Sequence, residues 1–107
     1  MGPTISIARQ SSDSYSPVAA ERVEVFRTGE SKRPYKEIAI IDVEEGLGSQ
    51  TYDEMIRALR IRAGAIGADA VIIETSKKPA GAMAVGGIFM MIDAKHIKAV
   101  AVRWTDR

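Results

Sequence analysis

Asp42, Glu44 and Glu45 place three carboxylates near the end of an apolar segment, and His96 is the only histidine in the chain. Carboxylates and imidazole are the usual general acids and bases of enzymes, so acid–base chemistry would involve these residues. Asp42 and Glu44 would share one face of a strand, because side chains alternate along it. No Ser or Cys adjoins His96 in sequence, and no partner for a catalytic pair can be identified. We therefore predict that the protein is not an enzyme. The alternative is a hydrolase or transferase that uses the Asp42 and Glu44 region.

Metal-binding residue types are sparse. The chain has no cysteine, and one histidine without thiolates or a carboxylate cluster does not make a zinc site. Met83, Met90 and Met91 could suggest a soft-metal site for copper(I). Adjacent methionines in a strand point to opposite faces, however, so we interpret these three as core residues. We predict no metal and no cofactor, and we interpret His96 as a residue of a hairpin turn.

A glycine-rich segment and several basic residues do not indicate phosphate or nucleic-acid binding. Gly81–Gly87 lacks the Gly-Lys-Ser/Thr ending of a phosphate-binding loop, and it leads into a predicted strand instead of a helix. The 15 Lys and Arg residues are nearly balanced by 14 Asp and Glu residues, for a net charge of +1. A nucleic-acid-binding domain usually carries a strongly basic surface, so we predict no nucleic-acid partner. We interpret five basic positions as solvated surface: Lys77, Lys78, Arg57, Arg60 and Arg62.

A helix over Tyr52–Ile66 is the clearest element that the sequence predicts. Thr51-Tyr52-Asp53-Glu54 fits a capping box, and Gly67 stands where a left-handed C-cap belongs. Gly64 costs helix stability, which close packing of the helix on a sheet would explain. Ile61 lies nearly opposite the apolar stripe, so it is either incidental or a contact to another chain. The stripe consists of Tyr52, Met55, Ile56, Leu59, Ala63 and Ile66.

Strand patterns surround this helix. Ser76–Gly87 is predicted to be a loop, and Asp93-Ala94-Lys95-His96 is predicted to be the turn of a hairpin. The predicted fold class is α+β: a mixed sheet of four or five strands with one main helix packed on one face, in the order β-β-α-β-β-β. The predicted strands are Val23–Arg27, Glu37–Val43, Ala70–Thr75, Ile88–Ile92 and Ile97–Trp104.

The predicted domain organisation is a flexible N-terminal tail, residues 1–20, followed by one domain, residues 21–107. The tail prediction rests on Gln10–Pro17, which is polar and has no period of 2 or 3.6. No stretch approaches the ~20 apolar residues of a membrane-spanning helix, so we predict no integral membrane span. No signal peptide is recognisable at the start. The tail would suit a lipid anchor that the present sequence does not include.

The predicted sheet leaves one face bare, because a single helix covers only the other. That face must meet solvent, the loops or another protomer. The last strand has apolar residues on both faces, since Val100 and Val102 alternate with alanines. We therefore expect a protein partner or self-association. The candidate interface residues are Ile61, Met90, Val100 and Val102.

Three segments of the chain resemble the YbjQ-like and RcsF-like group of small bacterial domains. They are Tyr35–Ile41, the helix with its Leu59-Arg60-Ile61-Arg62-Ala63 piece, and Gly67-Ala68-Asp69-Ala70-Val71-Ile72. A late strand ending in Ala99–Trp104 extends the likeness, which covers about Val23–Trp104. The resemblance implies an α+β fold and carries over no catalytic residue.

The two branches of this group imply different functions. RcsF-like proteins are outer-membrane lipoproteins that sense envelope stress through protein partners, and a flexible tail links lipid to domain. RcsF itself relies on disulfides, and this chain has no cysteine. YbjQ-like proteins look like homo-oligomers and have been labelled heavy-metal binders. We expect a non-enzymatic domain, the soluble part of a small envelope lipoprotein on the periplasmic side, acting through protein–protein contacts. The alternative is a cytoplasmic, self-assembling, ligand-binding YbjQ-like module.

Overall fold

Five strands form one mixed sheet, and one α-helix packs on one of its faces. The computed structural model describes residues 2–46, 49–85 and 88–107, and for residues 77–93 it describes the backbone alone. The predicted α+β class, with a mixed five-stranded sheet and one main helix, is confirmed. The elements are β1 (Thr4–Arg9), a 3-10 turn (Ala20–Arg22), β2 (Glu24–Arg27), β3 (Tyr35–Glu44), α1 (Tyr52–Ala65), β4 (Ala70–Val85) and β5 (Ile88–Trp104).

The sheet has the strand order β1-β3-β5-β4-β2, so β5 is its central strand. β1 pairs antiparallel with β3, β3 with β5, and β5 with β4. β2 alone runs parallel to its neighbour, β4, which makes the sheet mixed. Because β3 and β4 flank the same antiparallel partner, they run in one direction, and α1 is the crossover between them.

The core lies between α1 and one face of the sheet. Met55, Leu59 and Ala63 are fully buried on the helix, as the apolar stripe predicts. Full burial of a side chain such as leucine or methionine stabilises a fold by roughly 1.5–3 kcal/mol, so this stripe fixes the helix on the sheet. The N-terminal cap also forms: the backbone N–H of Glu54 donates to Thr51 Oγ1 at 3.1 Å. The buried sheet residues opposite the helix include Ile41, Val43, Val71, Ile97 and Ala99.

The predicted flexible tail, residues 1–20, is corrected at Thr4–Arg9, which form a strand. Thr4–Arg9 is strand β1 and pairs along β3, with Ile5 and Ile7 half-buried and Thr4 and Ser6 exposed. The alternation of polar and apolar residues covers only the six residues of β1, and the polar segment Gln10–Pro17 after it is typical of a flexible tail. A β-strand with one apolar face is stable here because β3 offers it a free edge.

The segment after β1 is also packed, and it explains Gly64. The Val18 N–H donates to the Gly64 carbonyl oxygen at 2.8 Å, and a Cβ at Gly64 would overlap the Val18 carbonyl oxygen. The helix therefore approaches this N-terminal segment closely, and the expected contact with the sheet does not account for the glycine. Gly67 has a φ of 90°, as a left-handed cap requires, and a Cβ there would overlap Tyr15 Cβ.

The prediction of a turn at Asp93–His96 is wrong, and so is that of a loop over Ser76–Gly87. β4 continues to Val85, and β5 begins at Ile88, so residues 93–96 lie within β5. The register pairs Ser76 with His96 and Met83 with Met90, with one irregularity between Pro79 and Gly81. Alanine and glycine have low strand propensity, which favoured a loop, but the apolar strand opposite supplies the pairing. The observed order is therefore β-β-β-α-β-β.

The far ends of β4 and β5 extend beyond the rest of the sheet. β3 follows β5 only as far as the Glu44–His96 pair, and β2 follows β4 only as far as Arg27–Ile73. We call residues 77–85 and 88–95 the hairpin arm. Nine residues of strand span about 30 Å, which accounts for much of the 58 Å length of a molecule otherwise 26 × 24 Å.

Candidate functional site: a hairpin arm and its root

The hairpin arm has two backbone edges without a strand neighbour. Within the described ranges 2–46, 49–85 and 88–107, no third strand pairs with the arm. An isolated two-stranded hairpin is marginally stable in water, and unpaired edges are templates for pairing with another chain. The arm is therefore a segment whose backbone can bind a further strand.

The sequence of the arm is unusually apolar for a protruding element. Pro79–Ile92 contains no charged residue, whereas Lys77, Lys78, Asp93 and Lys95 stand at its base. Soluble monomers rarely expose a large contiguous apolar surface, and one that does usually marks an interaction site. The composition thus points to a contact surface on the same segment that has free edges.

The two edges of the arm differ in how they are protected. β4 carries Lys77, Lys78 and Pro79, together with the irregularity before Gly81. Lysine, proline and bulges are the devices that block edge-to-edge pairing in natural sheets. Ile88–Ile92 on β5 has none of these, and its register with β4 is regular. The β5 edge is the one on which a strand can add.

Glu45 stabilises the root of the arm, by which we mean the residues around Ser76 and Lys95 where the arm joins the rest of the sheet. Its carboxylate accepts from the Lys95 ammonium at 2.9 Å and from the Lys95 backbone N–H at 3.2 Å, while its own N–H donates to the Lys95 carbonyl at 2.9 Å. The hydrogen bond from the Lys95 ammonium, with that from the backbone N–H, lowers the pKa of Glu45 to about 2. Gln50 adds a backbone N–H at 2.9 Å. The loop after β3 is thereby tied to β5 where β3 stops.

Tyr52, at the start of α1, contacts β4 at the root of the arm. Its hydroxyl donates to the Ser76 carbonyl oxygen at 3.2 Å, and the Lys95 ammonium lies 6.0 Å from the centre of its ring. A cation over an aromatic face adds roughly 0.5–1 kcal/mol at an exposed site. Tyr52 therefore contacts both strands at the base of the arm, which fixes the direction in which the arm leaves the domain.

Asp42, His96 and Ser76 meet on the sheet face away from α1. Asp42 Oδ1 lies 3.0 Å from His96 Nε2, and Ser76 Oγ lies 3.5 Å from His96 Nδ1. This fits an imidazole whose Nε2–H donates to Asp42 and whose Nδ1 accepts from the Ser76 hydroxyl. His96 is 5% exposed, so it is a buried member of β5 and does not lie in a turn.

A carboxylate–imidazole–hydroxyl chain is also the arrangement that activates serine in hydrolases. Here Ser76 is exposed on a sheet face, in a depression of about 460 Å³ that also includes Ile40, Glu74 and Lys98. Glu44, the second predicted carboxylate, is exposed and pairs in register with His96. The contacts join three neighbouring strands, β3, β5 and β4, immediately below the arm.

The predicted interface residues lie in different places. Ile61 is 54% exposed, in a groove of about 690 Å³ beside the 3-10 turn. Met90 is in the arm, and its side chain lies outside the described part of the structure. Val100 is half-buried on the face away from α1. Val102 is fully buried under Trp104, so its inclusion among exposed contact residues is corrected.

The structure also bears on the predictions for basic residues, methionines, metal binding and membrane spans. Arg60 is more than solvated surface, because its Nε donates to the Val23 carbonyl oxygen at 3.0 Å. The side chains of Met83, Met91, Lys77 and Lys78 lie outside the described part of the structure, so their predicted roles stay predictions. Among the side chains that the structure describes, no group of three His, Asp or Glu residues could hold a metal ion. In the described part of the chain, no helix has the length and apolar character to cross a membrane.

Ser76 and Tyr52 belong to this site, although the sequence predicts neither as a site residue. Ser76 was assigned to a loop, and Tyr52 only to the helix stripe. The signal that could have found the arm is the uncharged run Pro79–Ile92, because an uncharged run of 14 residues is long for a surface loop. The register that brings Ser76 to His96 follows from that pairing.

Comparison with known proteins gives one similarity of fold. No protein-family model matches the chain, and no curated protein matches it. A solved structure, that of the Francisella virulence factor FvfA in an orthorhombic crystal form, superposes with a TM-score of 0.63. The likeness covers 92% of this chain and 96% of that chain at 9% sequence identity. At this identity the similarity concerns the fold alone.

Proposed function

We propose that this chain is a non-enzymatic binding domain that acts through protein–protein contacts made by its hairpin arm. The observation that carries the proposal is the combination of two free backbone edges with the uncharged segment Pro79–Ile92. A partner that pairs with an edge and covers apolar side chains satisfies both features at once. The domain below the arm serves as a rigid base, because Glu45 and Tyr52 hold the root.

A protein suits the arm better than a lipid bilayer does. Unpaired backbone N–H and C=O groups are costly in hydrocarbon, so open strand edges are not found there. A partner strand supplies those hydrogen bonds, and its side chains supply apolar contact. The arm is about 30 Å long, comparable with the dimension of a standard protein–protein interface.

The cell envelope is the location that we propose for this activity, with the domain as the soluble part of a small lipoprotein. The support is the resemblance of Tyr35–Ile41 and Gly67–Ile72 to the RcsF-like group. The likeness in fold to a bacterial virulence factor is compatible with this placement and adds no location of its own. Fractionation of cells that express the native gene tests it: recovery in the membrane and periplasmic fractions is expected, and recovery in the cytosol alone would favour the cytoplasmic alternative.

In-cell photo-cross-linking tests the binding function. A benzoylphenylalanine placed at Phe89, in the arm, is compared with one placed at Tyr35, which is 40% exposed at the far end of β3. Both positions are aromatic, so each substitution keeps an aromatic ring. Protein adducts from Phe89 and few from Tyr35 are expected. An arm that gives no adducts, or no more than Tyr35, would refute the proposal.

A self-assembling module is the second candidate function, and one observation favours it. Ile88–Ile92, on the β5 edge, contains no lysine, proline or bulge, the devices that normally prevent a strand edge from pairing with a copy of itself.

A further inference from the structure

We infer that the partner of the arm is a second copy of this chain, with the β5 edges of the two copies paired antiparallel about a two-fold axis at Met90. This rests on the proposed function of the arm as the contact element, and it names the partner. Antiparallel pairing of one strand edge with itself is isologous, so it closes as a dimer and does not propagate.

The contacts of Lys95 establish which backbone groups of β5 face outward. Both its N–H and its C=O are hydrogen-bonded to Glu45, on the side away from β4. Backbone groups two residues apart in a strand point the same way, and the extra residue at the irregularity between Pro79 and Gly81 is on β4, so the alternation along β5 continues through the arm. Asp93, Met91 and Phe89 therefore direct their N–H and C=O groups to the free edge, and Met90 directs its own to β4.

The register follows from the sequence of the edge. Centred on Met90, the pairing sets Ile88 opposite Ile92 of the second copy and Phe89 opposite its Met91. Every opposed pair is apolar, and no like charges meet, which antiparallel pairing requires for stability. Phe89 and Met91 have outward groups, so each such pair exchanges both N–H···O bonds.

The root of the arm limits how far the second copy can slide. A register centred on Met91 would set Phe89 opposite Asp93 of the second copy, which brings a charged residue into an apolar contact. A register centred on Ile92 would set Phe89 opposite Lys95, whose outward N–H and C=O groups are already bonded to Glu45. A register centred on Phe89 opposes only Ile88, Phe89 and Met90, so it forms fewer apolar pairs than the register centred on Met90. The pairing centred on Met90 is therefore the longest one in which every opposed pair is apolar.

The size of this contact predicts a weak dimer. Five residues of strand span about 17 Å, and edge pairing over that length buries less than the roughly 1,200 Å² of a stable interface. Dimerisation should therefore depend on concentration. The β4 edges stay outside the dimer, protected by Lys77, Lys78 and Pro79.

Disulfide trapping tests the register, and the chain is suited to it because it has no cysteine. Met90→Cys places a thiol on the two-fold axis, at a pair without hydrogen bonds whose Cα atoms would be about 4.5 Å apart, within the range for a disulfide. The matched control is Met83→Cys, the register partner of Met90 on β4. Mild oxidation of each full chain is followed on non-reducing gels. We expect covalent dimer from Met90→Cys at least tenfold faster than from Met83→Cys. Equal rates would overturn the proposal.

A proline variant supplies a second measurement that does not depend on oxidation. Met91→Pro removes an outward N–H and leaves the bonds to β4 intact, whereas Met90→Pro removes a bond within the arm. Sedimentation equilibrium of Met91→Pro should show at least a tenfold weaker dimer than the wild type, and an unchanged dimer would overturn the pairing. Adducts from Phe89 to other proteins alone, with no Met90→Cys dimer, would refute the second copy as partner and leave the binding function standing. Absence of both would refute both proposals.

Discussion

Glu45 and Lys95 are joined by three hydrogen bonds: two from Lys95 to the Glu45 carboxylate, and one from the Glu45 N–H to the Lys95 carbonyl. The pair lies where β3 ends and the hairpin arm begins. It sets the direction of the arm, and by occupying the outward groups of Lys95 it also marks where a second strand must stop.

Acid should weaken the contact between Glu45 and Lys95. The pKa of Glu45 is lowered from 4.5 to about 2 in the folded protein, chiefly by the hydrogen bond from the Lys95 ammonium. A lowered folded-state pKa contributes stability that is present above the unfolded value and is lost as pH falls toward the folded value. We expect the melting temperature to fall between pH 4.5 and pH 2. Glu45→Gln should flatten this part of the profile, measured by circular dichroism. A profile identical to that of the wild type would contradict the assignment.

Removing His96 should destabilise the sheet more than altering its carboxylate partner. His96 is 5% exposed and contacts Asp42 and Ser76, whereas the Asp42 side chain is 43% exposed. We expect His96→Ala to cost about 1–3 kcal/mol in urea unfolding, because it removes a buried ring with two hydrogen-bond partners, and Asp42→Asn about 0–1 kcal/mol, because a hydrogen bond to a largely exposed side chain contributes little. Equal costs would mean that the imidazole contributes only through its contact with Asp42.

Substitution of Gly64 tests whether the N-terminal segment packs as described. Helix propensity alone would make Gly64→Ala stabilising by about 1 kcal/mol. The overlap of the new Cβ with the Val18 carbonyl oxygen should outweigh this and destabilise the fold by about 1–3 kcal/mol. Arg62→Ala, at an exposed position of the same helix, is the control and should change stability by less than about 0.5 kcal/mol. A stabilising Gly64→Ala would show that the segment is loose.

The helix and its core were predictable because Met55, Leu59 and Ala63 recur at helical spacing, and local chemistry suffices for the Thr51 cap. The arm was not predictable from local propensity. The Gly- and Ala-rich stretch after Ser76 becomes a strand only by pairing with Ile88–Ile92, a tertiary effect that overrides propensity. The candidate site could not be predicted for the same reason. Asp42 and His96 are 54 residues apart in the sequence, and their contact depends on the register of β3 with β5.

Shortening the arm tests the central claim most directly. Residues 79–93 are replaced by Asn-Gly, which joins Lys78 to its register partner Ala94 through a two-residue hairpin turn. Wild-type and shortened chains are compared by thermal unfolding and by formaldehyde cross-linking in cells. The account predicts that the shortened chain still unfolds cooperatively, because the core residues whose side chains the structure describes lie outside the replaced segment, and that it loses the protein adducts of the wild type. A shortened chain that folds and keeps the same adducts would contradict the arm as the contact element.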